Sequence, residues 1–362
     1  MNSYFSTITT GLEEVAETAL KQRIRDVRIE LLGDGLVLYQ TASPRREIQS
    51  LSFFSNTFIL FRRFDHLPVN PAEAMLRHVT ADPTLANIIA PNVPDRPSSF
   101  RLIFREDRLV PVDNNRLCQL ENRIAQIKQL SVNRRNPELE FWFLARREGF
   151  GVFGLRLTRH RDYAKLLEKG ELRPELAAMM CLLAEPSRRD VFLDPFAGSG
   201  AIPLARVKVA AYTQVIGSDS NPHLVEKLRK RVRGINNKIE VHRWDALNLE
   251  SLARGAVDTI VTDPPWGLHV GTELNLRSFY EEMLGEFHRI LRPEGFVVVL
   301  LAKKELFDEI LEEWQDRFTL ISKYDTLVSG PKAALYKLKK RSDLEYLLSN
   351  QSLTSRNGPP RG

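Results

Sequence analysis

The C-terminal half of the chain alternates between short apolar runs and longer amphipathic stretches. Runs such as 190–193, 215–218 and 259–261 have the length and apolar content of buried strands, and the stretches between them repeat apolar residues at helical spacing. Strands that alternate with helices in this way predict a doubly wound α/β sheet with parallel strands. The last two strand patterns, at 319–324 and 333–338, have no helix between them, so we expect them to form an antiparallel hairpin.

The N-terminal half shows a different order of elements. Within the first 65 residues, four strand patterns and two helix patterns follow one another as βαββαβ, which is the order of a ferredoxin-like sheet. Residues 66–98 are interrupted by six prolines and predict an irregular link after one short helix. From Ser99 onward, three strand patterns and a helix pattern over 117–130 predict a second α+β unit.

These patterns predict five parts of the chain. They are a ferredoxin-like domain at 1–66, an α+β domain at 67–160, a linker and helix at 161–185, a Rossmann-like domain at 186–340, and a tail at 341–362. The tail ends in Gly, Pro and polar residues that cannot bury enough apolar surface to fold, so we expect it to be disordered.

Composition limits the classes of function. The two cysteines, Cys118 and Cys181, lie far apart and in no metal-ligand spacing, so we interpret them as reduced thiols and expect no metal. The first residues lack the pattern of a signal peptide, and the longest apolar run, 296–302, is too short to cross a bilayer. The sequence therefore predicts a cytoplasmic protein with no membrane partner. The oligomeric state is left open, with a monomer favoured.

Basic residues are concentrated in part of the N-terminal half. Residues 101–161 contain 13 Lys and Arg against 7 Asp and Glu, an excess of six that equals the net charge of the whole chain. Such an excess is typical of an RNA-binding surface and also of an ordinary solvated surface. The candidate RNA-binding residues are Arg134, Arg135, Arg146, Arg147 and Arg159. Most of the aromatic residues among them, at 141–153, are expected to lie in the core.

A glycine-rich loop follows the first strand of the Rossmann-like domain. Its candidate ligand-binding residues are Asp194, Phe196, Gly198 and Gly200. The loop lacks the third glycine of a dinucleotide fingerprint and the Gly-Lys-Ser of a P-loop. A carboxylate here would repel phosphates but suits a cationic ligand with an amino-acid group, such as S-adenosylmethionine.

Acids also follow the next two strands. Asp219 lies 25 residues after Asp194, where a carboxylate can accept hydrogen bonds from both ribose hydroxyls, and Ser220 is beside it. Asp245 can accept from an adenine amino group, and the backbone N–H of Ala246 can donate to the adenine ring. Because the carboxyl ends of parallel strands share one edge, we expect these residues to form a single cofactor site.

The fourth strand runs into Asp263, two prolines, Trp266 and Gly267. Prolines fix φ and cannot continue a ladder, so this loop is expected to be rigid. The Asp263 carboxylate and the Pro264 carbonyl would accept hydrogen bonds, and Trp266 offers a flat ring beside them. The predicted ligand is a planar base with an exocyclic amino group. We therefore predict Asp263, Pro264 and Trp266 as the catalytic residues.

The segments 194–200 and 263–267 together resemble the motifs of class I methyltransferases that modify exocyclic amino groups of bases. Arg173 to Ala177 is similar to the start of the catalytic domain in THUMP-domain RNA methyltransferases, and Thr9 to Glu14 is similar to the start of their ferredoxin-like domain. The resemblance covers about residues 1–340. Trp266 departs from the Tyr or Phe that is most frequent in the family, and Ala201 stands where Thr is frequent.

The resemblance implies a seven-stranded Rossmann-like sheet, with 67–160 as a THUMP RNA-binding domain. It implies an S-adenosylmethionine-dependent transferase for RNA processing that forms N2-methylguanosine, with tRNA as the partner. Two alternatives of the same chemistry remain, adenine-N6 methylation and a guanine of rRNA. A third alternative is a non-catalytic RNA-binding protein that keeps the fold, and the missing third glycine disfavours a nicotinamide oxidoreductase.

Overall fold

The structure is a computed structural model that describes residues 1–105, 112–146, 149–158, 171–267, 275–328 and 330–342. The chain divides into two compact units. The N-terminal unit comprises Met1–Thr7, Lys21–Leu51 and Ser55–Asp162, and the C-terminal unit comprises Ile8–Leu20, Ser52–Phe54 and Tyr163–Gly362. Each unit is described separately below.

The N-terminal unit is built on one sheet, to which the described residues contribute eight strands. These strands are β1 (Asn2–Thr7), β2 (Arg28–Gly33), β3 (Leu36–Thr41), β4 (Asn56–Phe64), β5 (Ser99–Arg105), β6 (Ser131–Val132), β7 (Leu139–Ala145) and β8 (Gly151–Arg156). Their order is β2-β3-β1-β4-β8-β7-β5-β6. The first four strands have the order 2-3-1-4 with antiparallel pairing, so their arrangement is ferredoxin-like.

The helices of the first 125 residues are short. They are α1 (Glu13–Arg23), α2 (Arg45–Gln49), α3 (Pro71–Ala81), α4 (Leu85–Ile89) and α5 (Asn114–Ala125), with a 3₁₀ turn at Ala90–Asn92. The expected irregular link therefore contains α4. The expected helix over 117–130 begins earlier and ends at Ala125, and Lys128 and Gln129 beyond it take left-handed backbone angles. Ile127 and Leu130 are still buried, so their apolar spacing reflects the core rather than a longer helix.

The predicted boundary at 66/67 does not divide the sheet. β4 pairs with β8 along Phe58 to Phe64, so the ferredoxin-like strands and the strands of 67–160 form one continuous layer. Residues 8–20 and 52–54, which we assigned to the first domain, group with the C-terminal unit. Both differences arise from pairing between distant segments, which a pattern of local periodicity does not contain.

The C-terminal unit is built on a second sheet, with seven strands among the described residues. They are β9 (Val191–Asp194), β10 (Gln214–Ser218), β11 (Ile239–His242), β12 (Val257–Thr262), β13 (Leu291–Leu301), β14 (Phe318–Leu327) and β15 (Lys332–Lys340). The order is β11-β10-β9-β12-β13-β15-β14, and β15 is antiparallel to both of its neighbours. This confirms the expected parallel, doubly wound sheet with a terminal antiparallel hairpin.

The described helices after residue 171 include one that precedes β9 and four that connect successive strands. They are α6 (Pro174–Leu183), α7 (Ala201–Val209), α8 (Pro222–Val232), α9 (Leu276–Ile290) and α10 (Lys304–Glu313). A core of fully buried side chains from α9 and the strands, such as Tyr280, Phe287, Ile260 and Val299, supports one face of the sheet. This packing fixes the strand ends at which the candidate site lies.

None of the helices in the described ranges is both long and apolar enough to cross a membrane.

Candidate functional site

The carboxyl ends of β9, β10, β11 and β12 meet at one edge of the second sheet. Gly217 is the register partner of Asp194, and Ser218 is that of His242. The acids that follow these strands therefore emerge side by side, as the sequence predicted. Among the described residues, no group of His, Cys, Asp or Glu has an arrangement that could hold a metal ion.

Asp194 lies at the bottom of this edge and is 1% exposed. Its Oδ1 accepts hydrogen bonds from the Thr262 hydroxyl at 2.7 Å and from the Phe196 backbone N–H at 3.2 Å. Burial raises the pKa of Asp194 well above its usual range, and the negative charges of Asp263 and Asp219 raise it further. A cation bound among these carboxylates would offset both the cost of burying a negative charge and the repulsion between the carboxylates.

The glycine-rich loop is tied to Asp219. One oxygen of that carboxylate accepts from the Gly198 N–H at 2.9 Å and the other from the Asn221 N–H at 2.8 Å. Gly200 has φ of 103°, and a Cβ there would lie 2.3 Å from the Leu228 side chain of α8. The loop thus follows a path that only glycine takes without strain, and it holds the half-buried Asp219 at the strand end.

A buried clamp that we did not predict supports the same loop. Glu171 accepts a hydrogen bond from the Ser199 hydroxyl at 2.5 Å and forms an ion pair with Arg231 of α8. Arg231 also donates to the Ser199 carbonyl at 3.1 Å. Glu171 and Arg231 belong to no motif, and only the pairing of a buried acid with a distant arginine identifies them.

The third acid lies in a more open part of the edge. Asp245 is exposed and accepts from the Leu247 N–H at 3.0 Å, whereas Ala246 beside it is buried. Ser220 is exposed, and its carbonyl accepts from Arg243 at 3.2 Å. Asp245 therefore offers an exposed acceptor, and Ala246 beside it is small and buried. This combination would suit the binding of a flat ring at this edge.

The loop after β12 is held from two sides. The indole N–H of Trp266 donates to Asp263 Oδ1 at 2.8 Å and to the Leu300 carbonyl of β13 at 3.2 Å. The Tyr280 hydroxyl donates to the Pro265 carbonyl at 3.3 Å. Trp266 packs against the core, so its ring is anchored rather than standing free in solvent.

The protonation of this loop is set by burial. Burial raises the pKa of Asp263 to about 7, and the hydrogen bond from Trp266 acts in the opposite direction. Burial, together with the charge of Asp263, raises the pKa of Tyr280 to about 12. Asp263 can therefore exchange a proton near neutral pH, while Tyr280 remains a donor.

The predicted RNA-binding arginines differ in their surroundings. Arg134 forms an ion pair with Glu121 at 2.8 Å but keeps 64% of its side chain exposed, and Arg135 is exposed. Arg146 is only 19% exposed and pairs with Asp34 at 3.4 Å. Arg147 and Arg159 lie outside the described residues. Among the described arginines, Arg134 and Arg135 are therefore more accessible to an RNA ligand than Arg146.

The aromatic residues beside these arginines are mostly core. Phe141, Phe143 and Phe153 are buried and pack on one another, which confirms the prediction that they do not face a ligand. Trp142 is half-buried, with Arg105 and Arg156 over its ring.

Comparison with known proteins decides the class of the C-terminal unit. Residues 161–323 match the UPF0020 family, which is described as an RMKL-like methyltransferase domain. This segment is a methyltransferase domain. Its match extends over the glycine-rich loop, all four acids and the loop at 263–267.

Curated relatives of this chain are named as methyltransferases. The chain is 30% identical over 206 residues to tRNA (guanine(6)-N(2))-methyltransferase THUMP3 of Bos taurus, covering 52% of this chain and 40% of that protein. It is 31% identical over 188 residues to U6 snRNA (guanine-N(2))-methyltransferase THUMPD2 of Bos taurus, covering 50% and 36%. The chain thus spans about two fifths of the length of these curated relatives.

A solved structure shares the fold over nearly the whole chain. TrmN from Thermus thermophilus superposes with a TM-score of 0.76 at 22% identity, covering 94% of this chain and 100% of that one. The folds of the C-terminal unit and of the preceding α+β region therefore occur together in another protein.

Proposed function

We propose that this protein transfers a methyl group from S-adenosylmethionine to the exocyclic N2 of a guanosine in tRNA. The observation that carries the proposal is the meeting of Asp194, Asp219 and Asp263 at one sheet edge, within a methyltransferase domain. Burial raises the pKa of Asp194, and the negative charges of Asp263 and Asp219 raise it further, so the edge favours a cationic ligand over a phosphate.

The cofactor residues would be those of the glycine-rich loop and of the next two strand ends. S-adenosylmethionine supplies an electrophilic methyl group and carries two positive charges that match these carboxylates. Asp194 and the loop from Phe196 to Gly200 would hold the amino-acid end, with Asp219 and Ser220 at the ribose. Asp245 and Ala246 would contact the adenine.

The loop at 263–266 would orient the target base. Trp266 already holds Asp263 Oδ1, so Oδ2 would accept one N–H of the base amino group and the Pro264 carbonyl the other. Within the described residues the Pro264 carbonyl accepts no hydrogen bond, in contrast to that of Pro265. These acceptors turn the nitrogen lone pair toward the methyl group and stabilise the positive charge that develops on nitrogen.

Stacking and proton removal complete the mechanism. The accessible part of Trp266 would stack on the flipped base, a contact worth about 1–3 kcal/mol. After transfer, the methylated nitrogen is acidic, and Asp263, with its pKa raised to about 7, would take the proton before passing it to water.

The N-terminal unit would bind the RNA. Its residues 67–160 would act as a THUMP domain, with Arg134, Arg135, Arg146, Arg147 and Arg159 as phosphate contacts. We propose a cytoplasmic enzyme that acts without a metal, as a monomer.

One observation supports a second RNA substrate. The two relatives named above share guanine N2 as the target but differ in the RNA, since one is named for tRNA and the other for U6 snRNA. The same site would then act on a guanosine of a small nuclear RNA. The chemistry of the site does not distinguish these RNAs, because both present the same base.

The test is methylation of defined RNAs by the purified protein. Incubation with labelled S-adenosylmethionine and either total tRNA or U6 snRNA, followed by nucleoside mass spectrometry, should yield N2-methylguanosine from tRNA. Asp263→Ala is the matched control and should yield none. Product as N6-methyladenosine, or none from any RNA while the cofactor still binds, would reject the proposal in favour of the adenine or the non-catalytic alternative.

A further inference from the structure

The indole N–H of Trp266 has a specific pair of acceptors at the end of the catalytic loop. We propose that Trp266 is a positioning residue that, through this N–H, fixes the Asp263 carboxylate in orientation and in its ionised form. The catalytic meaning of this role rests on the proposed function, whereas the contact itself does not. The role is distinct from stacking, which uses the face of the ring.

The geometry makes the indole a bridge between two strands. Its N–H lies 2.8 Å from Asp263 Oδ1 and 3.2 Å from the Leu300 carbonyl, and Leu300 is fully buried in β13. The carboxylate that follows β12 is thereby held against the neighbouring strand. Phe has no donor at this place, and the hydroxyl of Tyr projects from the far end of its ring. The departure from Tyr or Phe at 266 thus adds a donor that those residues do not offer.

Holding Oδ1 decides which oxygen serves the substrate. A carboxylate with one oxygen bound to a fixed donor can rotate only by breaking that bond, so Oδ2 remains directed away from the indole. The amino group of a base would then meet one acceptor in one orientation. Pre-set orientation of this kind lowers the entropic part of the barrier.

The same hydrogen bond keeps the carboxylate ionised. Within the described residues, the titratable neighbours that interact with Asp263 are Asp194 and Tyr280, and the charge of Asp263 raises the pKa of both. The Trp266 N–H is the donor that lowers the pKa of Asp263 against burial. Removal of the N–H should therefore raise that pKa above about 7 and leave less carboxylate at neutral pH.

A spectroscopic experiment tests the contact between Trp266 and Asp263 without an activity assay. The chain has four tryptophans, so a ¹⁵N-tryptophan sample should show four indole N–H signals, and Trp266→Phe identifies the one of interest. That signal should shift with pH with a midpoint near 7, and Asp263→Asn should abolish the titration while the other three signals stay in place. A pH-independent Trp266 signal in the wild-type protein would overturn the inference.

An enzymatic test judges the consequence. Trp266→Phe keeps an aromatic face but removes the N–H, so its methyl transfer at pH 7 should fall by about 10-fold, a size typical of hydrogen bonds to charged groups. The activity should recover as the pH rises toward 9, because the acidic side of the pH–activity profile shifts to higher pH. The cofactor affinity should stay within about twofold, and Trp314→Phe, at the end of α10, is the matched control.

The outcomes separate the inference from the proposed function. An unchanged pH profile in an active Trp266→Phe enzyme would reject the positioning role and leave the function standing. A loss that does not recover at high pH would assign Trp266 to stacking alone. A wild-type protein with no methyl transfer at any pH would reject the proposed function, and the indole titration would still decide whether Trp266 controls Asp263.

Discussion

Asp263 is the residue at which function and stability should oppose each other most clearly. Its carboxylate is desolvated, so its pKa is raised from 3.8 to about 7. A raised pKa in the folded state means that the protonated form is favoured there. The contribution of Asp263 to stability is therefore complete below pH 4 and is lost as the pH rises toward 7. Asp263→Asn, which stays neutral, should make the protein more stable than the wild type at neutral pH.

The size of the effect follows from the two pKa values. Each pH unit of difference corresponds to about 1.4 kcal/mol, so the full penalty above pH 7 is about 4 kcal/mol. At pH 5 the wild-type carboxyl is already protonated in the folded state, and the penalty is about 2 kcal/mol. Between pH 5 and pH 8 the advantage of Asp263→Asn should thus grow by about 2–3 kcal/mol, or roughly 5–10 °C in melting temperature for a unit of this size.

Tryptophan fluorescence during thermal unfolding measures this difference. Three of the four tryptophans, Trp244, Trp266 and Trp314, belong to the C-terminal unit, so the signal reports mainly on that unit. The cofactor-free wild type and Asp263→Asn are compared at several pH values from 5 to 8. The same variant should lose methyl transfer, because an amide accepts from the base amino group more weakly than a carboxylate.

The control variant replaces an acid of the same unit whose pKa is lowered rather than raised. A hydrogen bond from Lys304 lowers the pKa of Asp325, so its titration lies at more acidic pH. The melting difference between Asp325→Asn and the wild type should therefore stay flat from pH 5 to 8. A flat difference for Asp263→Asn as well would show that Asp263 is not desolvated, and the reasoning from burial would fail.

Two further predictions concern the cofactor loop and the RNA surface. Gly200→Ala should destabilise the protein by about 1–3 kcal/mol and weaken cofactor binding, because its Cβ would lie 2.3 Å from the Leu228 side chain. Gly198→Ala, whose Cβ meets open space, should destabilise the protein less. Isothermal titration of both variants with S-adenosylmethionine compares their cofactor affinities. Replacing Arg134 and Arg135 together with Ala should lower the slope of log affinity for tRNA against log salt by about 1–2 and leave cofactor affinity unchanged, as filter binding at several salt concentrations would show. An unchanged slope would move the RNA contacts to other residues.

Local patterns predicted that the acids at 194, 219, 245 and 263 lie at the strand ends, because each such pattern is local. Asn221 caps α8, which begins at Pro222, and its side chain accepts from the His223 N–H at 2.9 Å, as the Asn-Pro pair in the sequence favours. The acids follow the ends of apolar runs, and parallel strands bring such ends to one edge whatever the details of packing. The assignment of each residue to cofactor or base remains a prediction, which the experiments above address.

Partners that lie far apart along the chain were beyond these patterns. Arg146 remains a predicted RNA contact, but the sequence did not indicate that it also pairs with Asp34, more than a hundred residues earlier. Glu171 and Arg231, which brace the glycine-rich loop, are separated by 60 residues. The sequence pattern of a charged residue does not distinguish one that faces solvent from one that faces a buried partner.

The sequence by itself determined the order of elements, the doubly wound sheet and the row of acids at its edge. These features follow from hydrophobic periodicity and from the chemistry of residues at strand ends, both of which are written along short segments. The tertiary structure alone decided that β4 joins β8 in one continuous sheet and that the Trp266 indole binds both Asp263 and the Leu300 carbonyl. Such contacts depend on how distant segments pack, because packing sets the direction of each donor and the burial that governs each charge.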